Sequence, residues 1–282
     1  DTEVLLNGLI KYGTNYLELV DGMWGLAFID RKKSSIYLSR DVMGEKPVYY
    51  LINKNELIFC SEVAPIISSM KEEPEWNDNA IVCSFQYRSA PPGETLIKQI
   101  KRLHGGEMLE VNYLSGKIKS TYPKKLNINK WSWFFKTKPT LNEVVELYKQ
   151  EINKSCTERF PDEVKFITTL SGGIDSTIIN IMLANSSDNP LTAIHALSNE
   201  TSPFRGEDLS ELETAKYTAK KLNISLNSFS LYDHNSLSIY EEEASDSFDG
   251  VFCEGVIAIL GVFSLLPSLL FISSCSILSL FL

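Results

Sequence analysis

Ser171-Gly172-Gly173-Ile174-Asp175-Ser176 is the stretch of this sequence whose residue types and spacing could do chemistry. Two adjacent glycines let a backbone approach an anion closely, and Ser171, Ser176 and Thr177 add hydroxyl donors. Val164, Phe166, Ile167 and Leu170 before it read as a buried strand, and Ile178, Ile179, Ile181, Met182 and Leu183 after it as a helix packed on that strand. The turn is thereby placed at a helix N-terminus, where unpaired amides and the positive end of the helix dipole favour phosphate. No Gly-Lys-Ser/Thr follows the glycines, so this is not a Walker-type loop. Asp175 stands where a cation would serve that purpose, and a carboxylate beside a polyphosphate makes sense chiefly with magnesium between them. Chemistry on a magnesium pyrophosphate group is one reading. A tight strand-to-helix turn with Asp175 or Ser176 as an ordinary cap is the other.

The elements around the loop predict a parallel sheet. Leu141, Val144, Val145, Leu147, Tyr148 and Ile152 recur at helical spacing, giving a helix over Asn142 to Thr157 that leads into the first strand. Leu191 to Leu197 reads as a second strand, Leu209 to Leu222 as an amphipathic helix and Ile224 to Leu231 as a third strand. Alternating strands and helices imply parallel strands, with a ligand at their C-terminal ends, where Ser171 to Ser176 lies. His195 within the second strand reads as a core histidine, and Glu207, Asp208, Glu211 and Glu213 as a solvated acid run at a helix start.

The first part of the chain has another character. Thr2 to Leu19 carries apolar residues at helical spacing, with Gly13 as a break. Trp24 to Ile29, Ser35 to Ser39, Pro47 to Ile52 and Glu56 to Ser61 are short strands separated by turn residues, an antiparallel arrangement. Arg40, Asp41 and Lys46 flank a Gly-Pro turn and read as a salt-bridged scaffold. Residues 112–140, with Gly116, Pro123 and Pro139 and many lysines, read as a linker, and Trp131, Trp133, Phe134 and Phe135 within it as a packing patch.

Composition narrows the partners. A chain of 282 residues with 44% hydrophobic and 22% charged content suits a globular enzyme of about two domains. A net charge of −9 without a basic patch argues against a nucleic-acid surface. Five cysteines without a C-x-x-C pair, and three histidines without ligand spacing, suggest neither a disulfide framework nor a zinc site; reduced thiols in a cytoplasmic protein are the default.

Two stretches together carry a resemblance. Ser171 to Ser176 with its flanks resembles the PP-loop of the ATP pyrophosphatases. Asp21-Gly22-Met23-Trp24-Gly25-Leu26-Ala27-Phe28, then Arg40-Asp41-Val42-Met43-Gly44-Glu45-Lys46-Pro47, then Ser61-Glu62, resembles the glutaminase half of the glutamine-hydrolysing asparagine synthetase family. The halves stand in the family's order. The resemblance implies an α+β amidotransferase sandwich, incomplete, over residues 1–111, and an α/β PP-loop domain with a parallel sheet, also incomplete, over 141–254. It implies adenylation of the aspartate β-carboxylate with ATP and Mg2+, then transfer of glutamine-derived ammonia to give asparagine, AMP and pyrophosphate. It assigns Ser171 and Asp175 as catalytic, and Leu170, Ser171, Gly172, Gly173, Asp175, Ser176 and Ala196 as ATP-binding. Asp175 also meets the metal through magnesium pyrophosphate, and Asp1, at the start of Asp-Thr-Glu, holds the glutamine α-amino group. Partners are then the small molecules glutamine, aspartate and ATP, with no nucleic acid; a homodimer is compatible with this. The family's N-terminal catalytic cysteine does not lie in these residues, so the chain alone is expected to be inactive as a glutaminase. A relative acting on another carboxylate, such as a β-lactam-forming synthetase, would share every motif, and a non-catalytic remnant is a further alternative.

Past Glu241 the resemblance fades. Residues 255–282 carry no charge, which is long enough for a bilayer span, although Pro267 and six serines interrupt the run. A span with membrane contact, buried core helices or a non-native end are the three readings of this tail.

Overall fold

The computed structural model describes residues 1–54, 56–124, 129–159, 166–187, 190–197, 205–230 and 270–272, with only the backbone described at 205–208, 229–230 and 270–272. They fall into two compact units, Asp1–Asn127 and one that begins at Ile128.

In the first unit, helix α1 (Thr2–Tyr12) is capped by Asp1, whose carboxylate accepts from the Thr2 amide at 2.7 Å, and a 3-10 turn, Gly13–Glu18, follows. Strands β1 (Gly25–Asp30), β2 (Ser35–Arg40), β6 (Met108–Asn112) and β7 (Ile118–Thr121) form one antiparallel sheet in that order. The β1–β2 turn closes because Asp30 accepts from the amides of Lys32 and Lys33 at 3.0 and 3.2 Å. A second sheet has the order β4-β3-β5, from Leu57–Cys60, Tyr49–Ile52 and Lys101–Arg102. Alternation along the strands decides what each face buries. Leu38, Leu109 and Val111 of the first sheet share a core with Val48 and Leu103, against which Tyr50, Ile52 and Leu57 pack. The opposite residues of β2 and β6, Tyr37 and Met108, meet Leu9 and Leu17 from the N-terminal helices. On β3, Tyr49 and Leu51 turn the other way and join Ile66 of helix α2 (Ala64–Ser69).

Three features of this unit lie outside the sequence expectations. Helix α2 and helix α3 (Asp78–Tyr87) occupy a stretch left without elements above; α3 starts where Asn77 accepts from the Ala80 amide at 3.2 Å. β7 falls inside the stretch read as a linker, and its residues are exposed or half-buried, so it lacks the alternation that marks a strand. Arg40 and Asp41 are not an ion pair. Arg40 donates to the carbonyls of Lys46 (2.8 Å), Leu103 (2.7 Å) and Gly44, whereas buried Asp41 accepts from the amides of Glu45 and Lys46, each at 2.9 Å. Both side chains hold main chain, so the segment is scaffold by another route.

In the second unit, helix α4 (Ser132–Lys136) carries the aromatic cluster, with Trp133 and Phe135 exposed. Helix α5 (Leu141–Glu158) opens with a capping box between Thr140 and Glu143, matching the helical spacing in the sequence. Strand β8 (Phe166–Thr169), helix α6 (Ile174–Ser186), strand β9 (Thr192–Leu197), helix α7 (Arg205–Leu222) and strand β10 (Ser225–Ser230) follow. The sheet is parallel throughout, in the order β10-β9-β8-β11. Ile152 and Cys156 of α5, Ile179 and Leu183 of α6, and Ala215 and Ala219 of α7 bury against Leu170, Leu191 and Ala193. β11 is Leu270–Ile272, paired in parallel with Phe166, Ile167 and Thr168. It comes from the charge-free tail, and a sheet strand was not among the three readings of that tail. The alternating signal that would have marked it is lost in a run where every residue is apolar or small. Among the described residues no helix is long and apolar enough to cross a membrane. The acidic segment past Glu241 and the side chains of Glu207 and Asp208 lie outside the described residues.

Candidate active site

The loop Ser171–Gly173 joins the C-terminal end of β8 to the first turn of α6. Leu170, fully buried, ends the strand run and donates its amide to the Ile194 carbonyl of β9 at 2.9 Å. The loop is then folded back by two serines. Ser176 Oγ accepts from the Ser171 amide at 3.2 Å, lies 2.9 Å from Ser171 Oγ, and donates to the Gly173 carbonyl at 3.2 Å. Ser171 Oγ in turn accepts from the Gly173 amide at 3.3 Å. Ser176 is therefore buried and structural as seen here, while Ser171 stays exposed.

The two glycines serve different ends. Gly172 has φ +87°, and a Cβ there would run into the main-chain carbonyl of Glu211 on α7. Gly173, the N-cap of α6, has extended φ and ψ, and a Cβ there would meet only Ser171 Oγ at 3.4 Å. Gly172 is demanded by packing, whereas Gly173 has only the Ser171 hydroxyl as a neighbour. The first helical hydrogen bond runs from the Thr177 amide to the Gly173 carbonyl at 3.1 Å. The amides of Ile174, Asp175 and Ser176 precede it and have no side-chain cap, which leaves an anion-binding helix start. Asp175 sits exposed in that turn, and its carboxylate has no hydrogen bond or ion pair among the described residues. Ordinary capping by Asp175 or Ser176, the plainer reading of the sequence, is not the arrangement found.

Ala196 is exposed near the C-terminal end of β9, the strand hydrogen-bonded to Leu170. Its neighbour His195 is buried, with Nδ1 2.9 Å from the Leu170 carbonyl; because a carbonyl only accepts, Nδ1 carries the proton and His195 clamps the strand before the loop. Asp1, in the first unit, is exposed and caps α1.

Sequence reasoning missed Asn180 and Thr168. Asn180, fully buried on α6, donates to the carbonyls of Thr169 (2.9 Å) and Ser176 (2.8 Å) and accepts from Thr168 Oγ1 at 2.7 Å. The signal was present, since Asn180 is the one amide inside the apolar run Ile178 to Leu183. Among the described residues no three His, Cys, Asp or Glu side chains cluster as a metal cage.

A parallel sheet with a glycine loop at one strand end and an open helix start beyond it makes an α/β unit of a kind suited to binding a nucleotide phosphate, preceded here by an antiparallel unit. Comparison with known proteins assigns both. Residues 1–122 match the glutamine amidotransferase domain and residues 147–255 the asparagine synthase domain. Asparagine synthetase 2 of Bacillus subtilis is 27% identical over 229 residues, which is 79% of this chain and 30% of that protein. A Methanocaldococcus jannaschii protein described as an asparagine synthetase is 29% identical over 185 residues, 64% of this chain and 35% of its own. The chain thus carries a match to a glutamine amidotransferase domain followed by a match to an asparagine synthase domain, and it is similar to proteins described as glutamine-hydrolysing asparagine synthetases. It spans about a third of the length of the curated relatives it matches. Among solved structures, an ammonia-dependent NAD synthetase of Campylobacter jejuni aligns at 18% identity over 44% of this chain and 55% of its own, with a TM-score of 0.29, too low to carry a fold assignment.

Proposed function

We propose that the protein carrying this chain is an ATP-dependent amidotransferase that adenylates the β-carboxylate of aspartate and passes glutamine-derived ammonia to it, giving asparagine, AMP and pyrophosphate. The observation that carries this reading is the open start of α6, with free amides and an uncovered Gly173 at the end of β8, in a chain where an asparagine synthase domain follows an amidotransferase domain. On this reading Ser171 to Ser176 is a PP-loop: the amides of Ile174, Asp175 and Ser176 and the exposed Ser171 hydroxyl hold the leaving pyrophosphate. Leu170 and Ala196, on hydrogen-bonded neighbouring segments, border the adenosine. The first unit, with its two sheets and flanking helices, is the amidotransferase sandwich, running to the end of β7, and 141–254 is the body of the synthetase domain.

The residues present fit magnesium as the family implies it. One exposed, unpartnered carboxylate, Asp175, suits an ion that takes most of its ligands from phosphate oxygens and water, and it needs no protein cage. When bound, magnesium would offset charge developing on the pyrophosphate. Asp1 keeps an exposed carboxylate beside its capping bond, able to receive the α-ammonium of glutamine. Placing ammonia release and adenylation in separate units keeps water from the acyl-adenylate.

The test is aspartate-dependent ATP–pyrophosphate exchange by the protein that carries this chain. Asp175→Ala should abolish exchange and leave glutamine hydrolysis intact. Exchange at the wild-type rate would reject the assignment of this loop.

A further inference from the structure

The first unit holds a cavity of about 560 Å³ that belongs to neither the pyrophosphate loop nor Asp1. Arg40, Arg102 and His104 line it beside apolar Ala90, Pro92 and Leu103. The whole chain has a net charge of −9, yet no Asp or Glu is among the lining residues. Arg40 is immobilised by its three carbonyl acceptors, and Asp41 turns its carboxylate to main-chain amides, so neither neutralises the other at contact distance. Burial lowers the Arg40 pKa and the charge of Arg102 lowers it further, while the nearby Asp41 carboxylate opposes part of that shift. The side chain of Arg102 has no hydrogen bond or ion pair among the described residues. Two like charges therefore share a half-buried space with no carboxylate among its lining residues, an arrangement that an anion would relieve.

The donors left over select the anion. Arg40 gives three of its five N–H groups to carbonyls, whereas the fork of Arg102 is complete, and a fork matches the two oxygens of a carboxylate. Volume and lining suit a small organic body beyond the charged group. The wall at Gly93 (φ +79°) is built without a side chain, for a Cβ there would lie 2.6 Å from His104 Nε2.

We propose that this cavity binds a small organic carboxylate with an apolar body, its carboxylate on the Arg102 fork with Arg40 supplying charge from behind. The test is calorimetric titration of the full 282-residue chain with 4-phenylbutyrate, its uncharged amide 4-phenylbutyramide, and inorganic phosphate. The acid should bind at least tenfold more tightly than the amide. Arg102→Gln should weaken the acid at least tenfold while the thermal midpoint stays unchanged, and Arg102→Lys, which keeps the charge and removes the fork, should recover only part of the loss. No binding of the acid, equal binding of acid and amide, or binding unmoved in both variants would overturn the proposal. Phosphate binding more tightly than the acid, and lost in Arg102→Gln, would overturn the choice of carboxylate.

Discussion

Thr168 Oγ1 donates to Asn180 Oδ1 at 2.7 Å, joining β8 to α6 through two side chains that solvent does not reach. The same carboxamide holds the Thr169 carbonyl and the Ser176 carbonyl, so one residue fixes both sides of the loop. Asn180→Leu removes all three bonds and leaves the buried Thr168 hydroxyl without this acceptor and the Thr169 and Ser176 carbonyls without the carboxamide, at a cost of about 2–4 kcal/mol. Denaturant unfolding of Asn180→Leu, Thr168→Val and the double variant should show the double mutant destabilised by less than the sum of the singles.

The glycines separate folding from binding. Gly172→Ala meets the Glu211 carbonyl with φ at +87°, and should destabilise the second unit by about 2 kcal/mol or more. Gly173→Ala has room for its methyl, so its unfolding midpoint should stay near wild type while titrated affinity for ATP with magnesium drops. Equal losses of stability in the two variants would remove the distinction.

Asp175→Asn should leave stability unchanged, because the exposed carboxylate supports no bond among the described residues. Its effect should appear only when magnesium accompanies the nucleotide. Titration with ATP in the presence and absence of magnesium reads this directly, and a variant weakened equally in both conditions would speak against a metal contact.

Cys156 supplies a pH dependence. Burial pushes its thiol up to about 11, so the native state keeps the thiol neutral after the unfolded chain has ionised. A folded pKa raised above the unfolded one gives stability that is complete below the unfolded value, near 9.0, and disappears as pH rises through about 11. The loss across that window is at most ~3 kcal/mol. Cys156→Ala should flatten the stability profile between those limits, and Cys156 should react with a thiol reagent far more slowly than half-buried Cys60 and Cys83.

Removing residues after Glu254 should lower the thermal midpoint. From the sequence, cutting there would be expected to cost nothing, since the tail abandons charge altogether; its pairing with Phe166, Ile167 and Thr168 argues the reverse. Hydrogen exchange at the β8 amides should quicken in the truncated protein. Unchanged exchange would show that β11 does not protect this edge.

What the sequence made legible follows from where physical signals are local. Strands β1 to β4 are short apolar or alternating runs punctuated by turn residues, and α5 shows apolar residues at helical spacing from Leu141 to Ile152, so both are readable from neighbours in the chain. The loop was legible for the same reason, its glycines standing between two apolar runs. β7 and β11 were not, because an exposed edge strand carries no buried face and a wholly apolar run carries no period. Asn180 and the Glu211 carbonyl act through contacts 11 and 39 residues distant from Thr169 and Gly172. The Arg40 and Arg102 cavity is likewise assembled by folding, from residues that mean little in isolation.

The strand order β10-β9-β8-β11 bears on where a nucleotide would lie under the proposed function. Going outward from β8, the chain fills one flank of the sheet with β9 and β10 before it supplies β11 on the other. The winding direction thus reverses beside β8, and in open α/β sheets such a reversal opens a crevice at the carboxyl ends of the strands. Ser171 stands at the mouth of that crevice. On the proposed function, the address of the substrate is written in the path of the backbone, and Ser171, Gly173 and Asp175 would furnish the chemistry at a place set by topology.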